Sequence, residues 1–86
     1  MKYTFTTDDQ STAFFDEISG EMIALFNISQ DDAVGRINRQ WKGQSFVGPD
    51  DLIYHETAVF WAKTLYYGVR VKWWLNPPGL APRPYP

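Results

Sequence analysis

The chain has 86 residues, no cysteine, one histidine and a formal net charge of −2. That length suits a single hydrophobic core, and the missing cysteines exclude disulfide bridges and Cys/His zinc sites as supports. Stability must come from packing, and the aromatic residues, 17% of the chain, each bury roughly 150–250 Å² when enclosed.

The charge is unevenly spread. Residues 1–35 carry seven acids against one lysine, a net −6; residues 36–86 carry seven bases against three acids, a net +4. The simpler reading is that the halves attract each other in the fold; the sharper one is an acidic face that docks a basic partner. The apolar runs Met22–Phe26 and Ala58–Ala62 fall far short of the roughly 20 residues a membrane helix needs. Met1-Lys2 leads into no apolar signal segment. The expectation is a cytoplasmic protein with no membrane contact.

Lys2–Thr6 alternates Tyr3 and Phe5 with polar residues, the period-2 pattern of a half-buried strand. Thr7-Asp8-Asp9-Gln10 reads as a turn. Phe14, Phe15 and Ile18 share a helical face that Ser19-Gly20 interrupts, so the first helix is expected over about 20–27, ended by Asn27. Ser29 is a good N-cap for a second helix to Lys42, with Asp31 and Asp32 at the positive end of its dipole. Its buried face is Ala33, Val34, Ile37 and Trp41, and Gly43 closes it. Gly48-Pro49-Asp50 is turn chemistry. A third helix is expected over 57–67, closed by Gly68, and Val69–Leu75 alternates as a second strand. Five of the last ten residues are proline, which excludes helix and ladder there.

These elements predict an α+β domain: about three helices packed on a small antiparallel sheet of Lys2–Thr6 and Val69–Leu75. Residues 1–76 form the single domain, and residues 77–86 form a Pro-rich tail folded onto it.

The helical pair around Phe26-Asn27-Ile28-Ser29 has the outline of a helix-turn-helix, with Arg36, Arg39 and Lys42 as candidate phosphate contacts. Asp31 and Asp32 at the start of the second helix would repel a nucleic-acid backbone, so an ordinary helical hairpin is the better reading. His55-Glu56 near Asp50 and Asp51 could serve acid–base chemistry. No nucleophile motif, phosphate-binding glycine loop or metal-ligand spacing accompanies them. The expectation is a non-enzymatic protein without cofactor or metal. From Tyr54 to Trp74 there are seven aromatic side chains, and the third helix is apolar nearly all round. Such a helix is either enclosed or meets a partner. Exposed Trp and Tyr residues are what interface hot spots are made of, and either a partner or the proline tail must cover the surplus rings.

Arg36-Ile37-Asn38-Arg39-Gln40-Trp41, Asp50–Glu56, Phe60-Trp61-Ala62 and Tyr66-Tyr67-Gly68 together resemble small uncharacterised bacterial proteins, some of them similar to immunity proteins that neutralise toxins. The resemblance spans residues 33–74 and implies a bacterial setting and a protein-binding role. The functional expectation is therefore a protein-binding module, most specifically an immunity-type inhibitor of a toxin partner. Trp61, Tyr66, Tyr67 and Trp74 are its candidate anchors, and Asp31 and Asp32 its acidic contacts. A helix-turn-helix nucleic-acid binder using Arg36, Arg39 and Lys42 is the alternative.

Overall fold

The computed structural model describes residues 2–86. The element order is β1 (Thr6–Thr7), α1 (Asp9–Phe26), α2 (Gln30–Gln40), β2 (Ser45–Phe46), a 3₁₀ turn (Leu52–His55), α3 (Ala58–Tyr67) and a second 3₁₀ turn (Trp73–Leu75). The class is α+β and helix-dominated, with α1 packed against both α2 and α3.

The first helix is far longer than the sequence suggests. It starts at Asp8, whose Oδ1 accepts from Ser11 N–H at 2.9 Å while Asp8 N–H donates to Ser11 Oγ at 2.9 Å. That reciprocal cap satisfies two of the backbone donors left open at a helix start. The helix then runs through Ser19-Gly20 without a break. Gly20 costs about 1 kcal/mol relative to alanine in a helix interior. Phe15, Ile18, Ser19 and Met22 fall on one face and are almost wholly buried, and their packing outweighs that penalty. Asn27, left-handed at φ 54°, ends the helix.

The sheet is parallel, not antiparallel, and uses different residues from those expected. Thr6 pairs with Ser45 and Thr7 with Phe46. Tyr3 and Phe5 do turn inward while Lys2 and Thr4 stay exposed, so the alternation of burial is present without a partner strand. The Asn38 side chain stands in for one: its Oδ1 accepts from Thr4 N–H at 3.0 Å and its Nδ2 donates to Lys2 O at 3.1 Å. Val69–Leu75 is no strand. Gly68 leaves α3 at φ 117°, Val71 N–H donates back to Gly68 O at 3.1 Å, and Trp73–Leu75 coils into a 3₁₀ turn. The Trp73 indole N–H donates to Thr64 Oγ1 at 3.1 Å. That bond returns the segment to α3 rather than sending it across to the N-terminus.

The core is aromatic at its centre. Phe5, Phe15, Trp41 and Phe46 meet at centroid distances of 5.0–6.4 Å, mostly edge to face, the geometry that ring quadrupoles favour. Ser11 is buried among them, and its hydroxyl donates to Phe46 O at 2.8 Å.

Candidate functional site: an aromatic ridge and a docked tail

Thr57 caps α3, its Oγ1 accepting from Phe60 N–H at 3.1 Å. One face, with Ala58, Ala62, Thr64 and Leu65, enters the core. Trp61 is half-buried, 5.5 Å from Trp41, and its indole N–H donates to Ile53 O at 2.8 Å. The remaining apolar side of the helix meets the second 3₁₀ turn. Phe60 lies 5.7 Å from Trp73 and 6.3 Å from Trp74, and the two tryptophans meet edge to face at 5.5 Å. The Lys63 ammonium sits 5.1 Å over the Trp73 ring.

This ridge stands outside the core. Trp74 is 56% exposed and Leu75 67%. Because the segment is a turn and not a strand, Trp73 and Trp74 do not diverge to opposite faces. One leans on α3 through its indole hydrogen bond, and the other lies beside it, largely open to solvent.

The proline tail docks elsewhere. Arg83 N–H donates to Tyr66 O at 2.8 Å. Arg36 Nη1 donates to Arg83 O at 2.6 Å and to Tyr66 O at 3.3 Å, and Arg39 Nη1 donates to Pro84 O at 2.8 Å. The Tyr85 ring lies under both guanidinium groups, 5.8 Å from Arg36 and 5.1 Å from Arg39. Its edge fills the notch above Gly35, where a β-carbon would stand only 1.9 Å from the Tyr85 hydroxyl oxygen. The tail therefore lies along α2 and the end of α3 and leaves Trp74 open.

This arrangement decides where the residues singled out in the sequence stand. Tyr66 stacks on Phe26 at 3.7 Å and 4°, and Tyr67 meets Phe26 edge-on at 5.5 Å. Asp32 is paired with Arg36, which is 5% exposed. Asp31 is exposed at the first turn of α2. Arg36 and Arg39 are engaged by the tail, and Lys42 is exposed beyond the end of α2. Among the six candidate protein contacts, Trp74 and Asp31 are exposed. Phe60, Trp73, Leu75 and Tyr85 complete the two surfaces; Phe60 and Trp73 belong to the seven-ring run read from the sequence but not to its candidate anchors, and Leu75 and Tyr85 carried no signal there.

Asp51, near the candidate acid–base pair, is a cap: its Oδ1 accepts from Ile53 N–H at 2.9 Å. Asp50, His55 and Glu56 are exposed. Asp50, Asp51 and Leu52 rim a shallow cavity of about 460 Å³ floored by Trp41, Phe46 and Trp61. Among the described residues no three His, Cys, Asp or Glu side chains converge as metal ligands, and no helix is long and apolar enough to cross a membrane.

One ion pair joins the acidic and the basic half of the chain: Arg36 with Asp32, within α2. The other ion pair among the described residues, Lys2 with Asp16, lies inside the acidic half. Asp9, Glu17 and Asp31 are left on the surface of one half, and Arg70, Lys72 and Arg83 on that of the other. Comparison with known protein families, curated proteins and solved structures finds no match to this chain.

Proposed function

We propose that the chain is a non-enzymatic protein-binding module, and in its most specific form an immunity-type inhibitor that acts by holding a toxin partner. The supporting observation is the ridge of Phe60, Trp73, Trp74 and Leu75, with Trp74 56% and Leu75 67% exposed while the tail packs on a different face. A rigid, half-supported tryptophan loses little side-chain entropy on binding and brings a large contact area. Trp74 is the central anchor and Leu75 its neighbour, with Asp31 a separate acidic contact.

The test uses the full chain as bait in its native host, followed by titration of the captured partner. Trp74→Ala should weaken binding by about 30-fold, the size of a hot-spot loss, with circular dichroism unchanged. Unaltered affinity in both Trp74→Ala and Leu75→Ala variants would remove the ridge as the binding surface. The inhibitor form makes a further demand: the wild-type chain, and not Trp74→Ala, must protect cells that express the partner. A harmless partner would leave protein binding standing and eliminate the immunity role.

A further inference from the structure

A second region carries chemistry that the ridge does not use. Beyond Gly68 the chain turns through Val69, Arg70 and Val71, and the tail returns across this turn. The Arg83 side chain passes over Gly68, its Cδ 3.9 Å from where a β-carbon would stand. Turn and tail border an open cavity of about 530 Å³ lined by Gln40, Tyr67, Arg70 and Arg83, with Val69 and Val71 as its apolar wall. That volume lies within the range of about 300–1,000 Å³ typical of small-molecule sites.

Two arginines, Arg70 and Arg83, thus line one cavity, and two more, Arg36 and Arg39, grip the same tail from α2. Arg36 has Asp32 as its counter-ion; among the described residues Arg39, Arg70 and Arg83 have no carboxylate at ion-pair distance. The cations also feel one another. Desolvation first, and then the charges of Arg83 and Arg36, hold the Arg39 guanidinium below its ordinary pKa. Bringing like charges together costs free energy that an anion among them would recover. Arginine is suited to this because its planar fork of N–H donors matches the oxygens of phosphate and carboxylate.

We infer that the cavity is a binding site for a small organic oxyanion, with its phosphate or carboxylate group held between Arg70 and Arg83 and its body against Tyr67 and the two valines. Gln40 supplies an uncharged amide at the rim. The ligand would join the tail to the turn after α3, so its binding would stabilise the folded chain by linkage. The site is separate from the Trp74 ridge and does not rest on the protein-binding reading.

The experiment is calorimetric titration of the full chain at low ionic strength with inorganic pyrophosphate and, in parallel, with citrate. Saturable binding at one site is expected, weakened about tenfold or more by Arg70→Gln and by Arg83→Gln, the loss of one charge-assisted hydrogen bond. Lys2→Gln removes the same charge far from the cavity and should leave the affinity unchanged. Arg70 lies outside the tail, so its variant reads the site even if Arg83→Gln loosens the tail. Saturation by pyrophosphate alone assigns a phosphate ligand, by citrate alone a carboxylate, and by both the oxyanion they share. The inference is overturned if neither anion saturates, or if Lys2→Gln weakens binding as much as Arg70→Gln. It is equally overturned if single-stranded oligonucleotides bind with affinity that climbs with length, which marks an extended basic surface instead of a pocket.

Discussion

Gly35 lies inside α2, where alanine is normally better by about 1 kcal/mol. The reason for glycine there is the tail. A β-carbon at Gly35 would fall 1.9 Å from the Tyr85 hydroxyl oxygen and 2.2 Å from the ring carbon that bears it, so Gly35→Ala must push the ring off its seat. The displaced ring loses its contacts with Arg36 and Arg39, worth about 0.5–1 kcal/mol each at a partly exposed site, together with part of its buried area. A loss of about 2 kcal/mol against a helix gain of about 1 leaves Gly35→Ala less stable than wild type by about 1 kcal/mol. In a Tyr85→Ala background no ring stands in the way, and the same substitution should stabilise by about 1 kcal/mol. The sign of one mutation therefore reverses with the residue fifty positions away, a coupling of about 2 kcal/mol in a double-mutant cycle. Urea midpoints of the four proteins, with unchanged slope, measure it. If Gly35→Ala stabilises equally in both backgrounds, the tail does not sit on α2 as described.

Three further outcomes are expected. The Tyr54 hydroxyl is buried without a hydrogen-bond partner among the described residues, so Tyr54→Phe should be neutral or raise stability by up to about 1 kcal/mol; a clear loss in denaturant would reveal a partner for that oxygen. Arg36 is buried, holds Asp32 and two carbonyls, and lies 5.1 Å over the Tyr66 ring, so Arg36→Ala should cost about 2–3 kcal/mol and speed proteolysis of the tail; a tail equally protected in the variant would contradict that. The Asp8 carboxylate is held below its ordinary value of 3.8, first by the Gly48 N–H and then by Ser11, and Asp16 is lowered by Lys2 and then Tyr3. A depressed folded pKa means their contribution is complete above the ordinary value and disappears as pH falls through the lower folded one. Stability should decline below about pH 4, less steeply in Asp8→Asn than in wild type; identical acid limbs would remove Asp8 from the account.

The second and third helices could be read from local signals because those signals and the packing agree. Ser29 caps α2 and the side chain accepts from Asp32 N–H at 3.0 Å; Thr57 caps α3 and Gly68 ends it. The first helix was obscured by a conflict between levels. Ser19-Gly20 favours a stop locally, while Phe15, Ile18 and Met22 spread the matching apolar face across it, and tertiary burial prevails over propensity. The antiparallel sheet failed for another reason. Alternation in Lys2–Thr6 reports which side chains are buried, and says nothing about what takes the backbone hydrogen bonds; here the Asn38 amide takes those of Lys2 and Thr4, and Thr6 turns to Gln44 beside β2. Val69–Trp73 alternates too, but one indole–threonine bond turns it back on α3.

The aromatic excess in the second half is resolved by dividing the rings among separate tasks. Trp61 closes the core beside Trp41, Tyr66 and Tyr67 clamp Phe26, and Tyr85 serves as a plug between two arginines over a glycine. What composition could not reveal is that the end of the proline-rich chain, Arg83–Tyr85, seats on α2 while Trp74 stays largely exposed. The tail is drawn to α2 by guanidinium donors that seek carbonyl oxygens and a ring face, interactions with direction, whereas Phe60, Trp73 and Trp74 offer chiefly apolar area. Directional partners fix a short, unstructured segment better than area does, because each ordered residue must offset a backbone entropy cost of about 1–2 kcal/mol. The same preference that seats the tail leaves Trp74 and Leu75 exposed, and it gathers Arg70 and Arg83 around one cavity with no carboxylate at ion-pair distance among the described residues. Both candidate contact regions of the molecule thus follow from where ten C-terminal residues choose to lie.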